Sequence, residues 1–398
     1  MFEQIISEAN RLQPELIEIR RRIHRNPELG FEEWETAKLV SEKISGLGLR
    51  VTKGVAKTGI LAVLPREGSS RTIALRADMD ALPVEEQNDV PYKSVNPGIM
   101  HACGHDAHLA MLIGAAKILS FLKDGLKVNV KFIFQPCEEQ PKGGAAPMIK
   151  AGVLEKPKVD AIFGLHINPY LPAGFLGLKE GIVMAAADEF TIEIKGRGGH
   201  GAAPHQTVDP IVVSAYVIQA LQLIVSRQTD PLEPVVVSVC AIKGGQSFNI
   251  IADRVTLTGT VRTLNPQVQQ QMPEAIRNIV KGVTSAFGAD FNFDYQWGYP
   301  LLRNNQQMLD IVRQAGRAVV GRQKVLQINM PSMGAEDFAC FTGHVPGAYF
   351  FLGAQPPGGV SHPWHNPKFD IDEAALATGA AVLAGCVVKA QEVLEGGK

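Results

Sequence analysis

The sequence predicts an α/β protein with helices on both faces of its sheet, interrupted by a smaller α+β unit. Three observations carry this expectation. Short apolar runs of strand length alternate with segments of helical period over residues 1–187 and again after residue 297. Between residues 188 and 297 the order changes to β-α-β-β-α-β, the ferredoxin-like split motif. The candidate reactive residues fall just past the apolar runs, where open α/β sheets gather their chemistry. A chain of 398 residues has room for such an arrangement. The expected organisation is one domain in two pieces, 1–187 and 298–398, around an inserted domain of residues 188–297.

Residues 2–23 place Phe2, Ile5, Ile6, Ala9, Leu12, Leu16, Ile19 and Ile23 on one helical face, and Asn26-Pro27 stops the helix. Arg20, Arg21, Arg22 and Arg25 read as a solvated basic face that suits the helix C-terminus. A second helix is expected over 32–45, ending at Gly46 and Gly48. Strands follow at 59–64 and 72–76, then a buried helix through Leu109–Leu119 and a strand at 128–134. After a Gly-rich turn and a short helix, another strand ends at His166. In the insert, strands are expected at 190–195, 235–241, 254–262 and 290–297, and helices at 209–226 and 267–287. The α/β pattern resumes with a helix at 306–320, a strand at 348–352 and a terminal helix at 372–394.

Composition narrows the function. Lys and Arg number 39 against 40 Asp and Glu, a net charge of −1, so neither nucleic acid nor an anionic membrane is the expected partner. No run approaches the roughly 18 apolar residues of a membrane span. The start, Met1-Phe2-Glu3-Gln4-Ile5-Ile6, lacks the basic n-region and apolar stretch of a signal peptide. The 5 cysteines are too few and scattered for a disulfide framework, so reduced thiols in the cytoplasm are expected.

The chemistry concentrates at His101-Ala102-Cys103-Gly104-His105-Asp106-Ala107-His108, immediately before the buried helix. Soft and borderline ligands this close suggest a transition metal. The alternative is a polar loop capped by Asp106. Asp78 and Asp80 follow one strand, and either could bind a metal or orient a ligand histidine rather than form a turn. Glu138 and Glu139 follow another strand behind Pro136. Adjacent side chains on an extended chain point apart, so one can bind metal while its neighbour handles the proton of a water. His166 is a structural or ligand histidine. His362 or His365, in a Pro-stiffened loop, could close the metal sphere. Gly196–His205 reads as a tight hairpin or an anion-binding loop. Cys103, His105, Glu139, His166 and one of His362/His365 form a set large enough for two metal ions, and a cysteine ligand favours zinc over magnesium or calcium.

Five segments then carry a resemblance: Leu-Arg-Ala-Asp-Met-Asp-Ala-Leu-Pro (75–83), Met-His-Ala-Cys-Gly-His-Asp-Ala-His (100–108), Gln-Pro-Cys-Glu-Glu (135–139), Gly-Gly-His-Gly-Ala-Ala-Pro-His (198–205) and Met-Gly-Ala-Glu-Asp-Phe (333–338). In this order they resemble the M20 metallopeptidase/amidohydrolase family, in the branch of hippurate hydrolases, bacterial aminoacylases, thermostable carboxypeptidases and plant auxin-conjugate hydrolases. The resemblance implies a zinc-peptidase-like catalytic domain with a mixed sheet, and an inserted domain that acts as lid and dimerisation module. It implies two divalent metal ions per subunit held by Cys103, His105, Glu139, His166 and His365. Cys103 stands where a bridging carboxylate is more usual, so the metal preference of other branches does not transfer, and the cysteine ligand makes zinc the first expectation, with manganese, cobalt or nickel as alternatives. His365 is preferred over His362 because His-Asn-Pro-Lys-Phe leads into the last helix. Glu138 is implied as general base and Asp80 as a group behind the metals, while Asp78 takes a histidine's place and is not expected to be a ligand. His101 and His108 are left as supporting groups, and Asp106 as a helix cap or ligand orienter. His200 would stabilise the oxyanion, in its own or a partner's site, and Asn249 and Arg262 would hold the substrate's free carboxylate. Cys137 stands where alanine is commoner, and Gln140-Pro141-Lys142 replaces a glycine-rich stretch. The implied activity is hydrolysis of N-acyl or N-aroyl amino acids in a homodimer or homotetramer, with carboxypeptidase or dipeptidase action the alternative and a non-catalytic metal-binding protein on this fold the remaining one.

Overall fold

The computed structural model describes residues 1–396 except 142, 357 and 359, so Lys142 of the departing stretch lies outside the described residues. The chain divides into two compact units: Met1–Val183 with Arg303–Met330 and Asp337–Lys398, and Met184–Leu302 with Pro331–Glu336.

The first unit is built on an eight-stranded mixed sheet. Its first six strands are β1 (Arg50–Val55), β2 (Gly59–Leu64), β3 (Thr72–Asp78), β4 (Asn129–Gln135), β5 (Ala161–Pro172) and β6 (Leu176–Leu178), and Val325–Gln327 and Gly347–Gln355 complete it. Across the sheet the order is β1, β2, β4, β3, β5, Gly347–Gln355, β6, Val325–Gln327. The central strands β4, β3, β5 and Gly347–Gln355 run parallel, whereas β1 and β2 join antiparallel. Every residue of β3 and β4 is buried, as expected of parallel strands covered on both faces. That burial explains why both read as continuous apolar runs.

Helices α1 (Phe2–Arg25), α2 (Trp34–Lys43) and α3 (His105–Phe121) lie in this unit, with Gln306–Val320 and Ala375–Gly396. α1, α3 and the last two pack against one another. α1 buries Ile5, Ala9, Leu12, Leu16, Ile19 and Ile23, the face its periodicity picks out.

Four expectations need correction. Arg20 is not on a solvated face: it is buried and pairs with Asp106 at 2.8 Å, Asp370 at 2.9 Å and Glu373 at 3.2 Å. Three tertiary carboxylates from two remote segments decide this, and helix periodicity carries no sign of them. β5 does not end at His166 but continues to Pro172, paired with Gly347–Gln355. β1 was not expected, because its five leading residues are exposed and carry no apolar alternation. Among the described residues, two helices are long and apolar enough to cross a membrane by length and composition, Pro210–Gln228 and Ala375–Leu394. The second is mostly buried as a core helix; the first is one-third buried.

The second unit has a four-stranded antiparallel sheet in the order Val235–Gly244, Arg254–Thr263, Ala186–Lys195, Asp290–Tyr299. Helices Pro210–Leu223 and Pro266–Ala286 pack on it around Phe190, Ile192, Val217, Leu257 and Ile276.

Candidate metal and catalytic site

Because β3, β4 and β5 are parallel neighbours, residues following β3 and β4 emerge at one edge of the sheet. Asp80 follows β3, and Glu138 and Glu139 follow β4. His166 lies two residues beyond Gly164, the last β5 residue paired with β3, and so comes to the same edge. Cys103 and His105 flank the N-cap of α3. Gly104, between them, has φ +85°, and a Cβ there would sit 2.1 Å from Ile167 Cδ1. Only glycine allows the helix start to approach the His166 strand this closely.

Asp80 ties the two loops together. Its Oδ1 accepts from Glu138 N and its Oδ2 from Glu139 N, both at 2.9 Å. Its backbone oxygen accepts from His105 Nδ1 at 2.9 Å. His166 Nδ1 donates to Ile167 O at 2.8 Å. In both histidines Nε2 is thereby the nitrogen left to face a metal, the usual arrangement of an oriented metal ligand. His108 differs. Its Nδ1 donates to Asp78 at 2.6 Å and its Nε2 accepts from Ile167 N at 3.0 Å, so both nitrogens are engaged.

The open ligand atoms converge. Cys103 Sγ lies 3.4 Å from His166 Nε2. Glu139 Oε1 is 3.9 Å from His105 Nε2 and 3.3 Å from His365 Nε2. Cys103, His105 and His166 form one cluster with all ligand atoms within 4.8 Å; Cys103, Glu139 and His365 form a second; His105, Glu138 and Glu139 form a third. Ligands about 2.0–2.3 Å from a tetrahedral ion stand roughly 3.3–3.8 Å apart, close to these separations. His105 Nε2 and Glu139 Oε1 are buried and make no hydrogen bond, which fits groups arranged for a cation. The five residues close into one set because Cys103 and Glu139 each belong to two clusters, and that sharing supports two metal ions.

Electrostatics agree with the geometry. Burial, reinforced by Glu139, Glu138 and Asp78, holds the Cys103 thiol pKa well above its ordinary value. Burial opposes protonation of His105, but Asp78, Asp80 and Glu139 outweigh it and raise the imidazole to about 10. Burial and the neighbouring His108 keep His166 neutral, well below the ordinary histidine pKa. Cys103 and His105 would give up their protons to a cation held in this carboxylate-rich pocket.

Residues 74–389 match the Peptidase family M20/M25/M40. The chain belongs to that family. It is therefore a hydrolase of the M20 amidohydrolase/peptidase class. It is 40% identical to thermostable carboxypeptidase 2 of Saccharolobus solfataricus, over 98% of both chains. It is 43% identical to an N-acyl-L-amino acid amidohydrolase of Geobacillus stearothermophilus, over 75% of this chain and 80% of the relative. Among solved structures it is similar to the Bacillus subtilis YXEP protein, described as a dinuclear metal binding peptidase of the M20 family. That match has a TM-score of 0.81 and 34% identity over 96% of this chain and 99% of the other.

The remaining candidates of this M20 chain fall elsewhere. His362 is part of none of the metal-ligand clusters among the described residues, whereas His365 is in one; its backbone N–H donates to Ala102 O at 2.8 Å. Asp78 forms no turn: it ends β3, buried, between Arg76 and His108, each 2.6 Å away. Asp106 is not a helix cap. It accepts from Arg20 and His24, both at 2.8 Å, and makes no hydrogen bond to a ligand. His101 is buried with neither nitrogen hydrogen-bonded.

In the second unit, the Gly196–His205 segment closes as a hairpin loop between Arg197 and Val208. His200 and Asn249 are brought together there, with Gly201 N donating to Asn249 O at 2.8 Å. His200 Nδ1 accepts from Ala202 N at 3.0 Å, leaving Nε2 to carry the proton. Arg262 lies apart. The His200 loop adjoins the sheet end where Arg254 pairs Lys195, whereas Arg262 pairs Ala187. Eight residues of strand separate the two ends, roughly 26 Å.

Sequence reasoning missed the groups that hold these loops. Asp337 accepts from Arg76 at 2.8 Å, Gln135 at 2.8 Å, Gly144 N at 3.1 Å and Ala145 N at 3.0 Å. Arg76 and Asp337 lie inside segments 75–83 and 333–338, which was the available signal.

Proposed function

We propose that this protein is a metal-dependent amidohydrolase that cleaves the amide bond of N-acyl or N-aroyl amino acids, releasing a carboxylic acid and a free amino acid. The observation that carries the reading is the pairing of Glu138 with Glu139 on one Asp80 carboxylate. It fixes a proton-accepting carboxylate next to a ligating one. Divalent ions held by Cys103, His105, Glu139, His166 and His365 would polarise the carbonyl and acidify water. Cysteine and imidazole ligands favour zinc, with manganese, cobalt or nickel as alternatives. Glu138 takes a proton from the attacking water and passes it to the leaving amine. His200, donating from Nε2, stabilises the developing oxyanion. Arg262 and Asn249 hold the substrate carboxylate.

The His200 loop and Arg262 lie toward opposite ends of a strand that spans roughly 26 Å, which supports a shared site in which His200 and Asn249 serve the active site of a partner subunit. The second unit then acts as lid and dimerisation module in a homodimer or homotetramer. Exposed Ile211, Val212, Tyr216 and Leu223 on helix Pro210–Leu223 offer the apolar face. We place the enzyme in the cytoplasm, consistent with its free cysteines.

The test is turnover of hippurate, N-acetylmethionine and dipeptides by metal-reconstituted protein, with and without chelator, beside Glu138→Ala. Chelator-sensitive release of amino acid from acyl substrates, and a loss of at least about 10²-fold in Glu138→Ala with metal retained, is expected. Preference for peptides favours the carboxypeptidase reading, which the Saccharolobus relative supports. Near-wild-type turnover in Glu138→Ala sinks the base assignment. The absence of chelator-sensitive turnover on the whole panel favours a metal-binding protein without catalysis.

A further inference from the structure

Pro136 and Cys137 turn the chain from β4 into Glu138. Cys137 does so with φ +53°, a left-handed conformation that a side chain disfavours, so something must hold it. Glu33 does. It has no exposed surface; its Oε1 accepts from Cys137 N at 2.8 Å and its Oε2 from Thr58 Oγ1 at 2.5 Å.

The segment before Glu33 is anchored to both loops. Glu28 O accepts from Ala81 N at 2.8 Å, one residue past Asp80, and Gly30 O accepts from Gln140 Nε2 at 3.3 Å. A Cβ at Gly30 would lie 2.7 Å from Cys137 Sγ, so the Gly30 backbone packs directly against the Cys137 side chain. The Glu28 carboxylate accepts from Glu35 N at 3.1 Å and Thr36 N at 2.8 Å, leaving Glu33 free to face inward.

We propose that Glu33 is a positioning residue for Glu138, its buried carboxylate fixing the strained Cys137 amide and so the direction in which Glu138 leaves β4. Asp80 grips the loop at residues 138 and 139, and Glu33 grips it at 137. The inference rests on the reading of Glu138 as general base.

The experiment uses the full-length, metal-reconstituted protein and an acyl substrate that wild type turns over. It compares Glu33→Ala, Glu33→Gln and Glu138→Ala by kcat, KM, bound metal and unfolding midpoint. Misplacing a reacting group by about 1 Å can cost about 10²-fold, so Glu33→Ala should lose at least about 10-fold in kcat, with KM and bound metal near wild type. Glu33→Gln keeps an acceptor for Cys137 N and should recover kcat to within about threefold. A folded Glu33→Ala with wild-type kcat, or one whose loss merely tracks lost metal or folded protein, overturns the proposal. Should Glu33→Ala not fold, Thr58→Val frees Glu33 Oε2: a smaller fall in kcat with metal retained supports the proposal, and wild-type kcat overturns it. An active Glu138→Ala sinks the base reading itself. An inactive Glu138→Ala beside an active Glu33→Ala sinks only the positioning role.

Discussion

Replacing Asp80 tests the site more sharply than replacing a ligand, because Asp80 touches no ligand atom directed at the metals. Its carboxylate accepts from the amides of Glu138 and Glu139 at 2.9 Å each, inside the protein. Hydrogen bonds to a charged acceptor contribute about 1.5–3 kcal/mol each, so Asp80→Ala removes about 3–6 kcal/mol of restraint on the loop. Asp80→Asn keeps the shape but supplies one oxygen, so one of the two amides faces an NH2 group. Loss of an outer-shell partner typically costs about 10–100-fold in metal affinity or activity. Asp80→Asn should fall in that range, and Asp80→Ala should be at least as severe. The assay is metal titration of chelated protein, followed by kcat at saturating metal. Lower metal affinity reports on Glu139, and lower kcat at full occupancy reports on Glu138. Wild-type affinity together with wild-type kcat in Asp80→Asn would refute the argument that these two bonds organise the site.

Three further outcomes follow from the geometry. Arg20→Met takes the guanidinium from buried Asp106 and leaves it facing His24, and should destabilise the fold by about 3 kcal/mol in urea unfolding, the low end for breaking a buried pair; a loss under about 1 kcal/mol, on the order of a surface pair, would contradict the burial. Gly104→Ala forces a side chain at φ +85° against Ile167, next to His166, and should weaken metal binding as well as lower Tm; an unchanged metal affinity argues against the close approach. Lys131 is buried, with Nζ donating to Val153 O at 2.8 Å and Glu155 O at 2.5 Å, and burial lowers its pKa to about 8. Its folded pKa lies below the ordinary 10.5, so the charged form penalises folding below pH 8 and the penalty disappears as pH rises to 10.5. The stability of wild type relative to Lys131→Met should therefore climb between pH 8 and 10.5, and a flat difference would refute the shift.

Much of the fold was legible because burial writes itself into local pattern. The fully covered strands β3 and β4 read as apolar runs, and α1 reads as a stripe. The dense His101–His108 segment and the Glu138–Glu139 pair marked the chemistry. β1 was invisible because its side chains face solvent, and the extension of β5 beyond His166 depends on a partner strand some 180 residues later in the chain. Arg20 illustrates the limit best: its spacing fits a helix end, yet Asp106, Asp370 and Glu373 reach it only through folding.

The sequence by itself determined which residue types could carry the reaction, and the buried strands and amphipathic helices that carry them, since both follow from local composition and periodicity. Only the tertiary structure decided which of those residues share one pocket. Parallel pairing of β3, β4 and β5 aligns the strand edges that bear Asp80, Glu138, Glu139 and His166. The glycine at 104 lets the helix start bring Cys103 and His105 against them. Hydrogen bonds from the loop amides to the Asp80 and Glu33 carboxylates then fix the Glu138 loop, a consequence of contacts between residues 58 and 104 positions apart in the chain that no local pattern encodes.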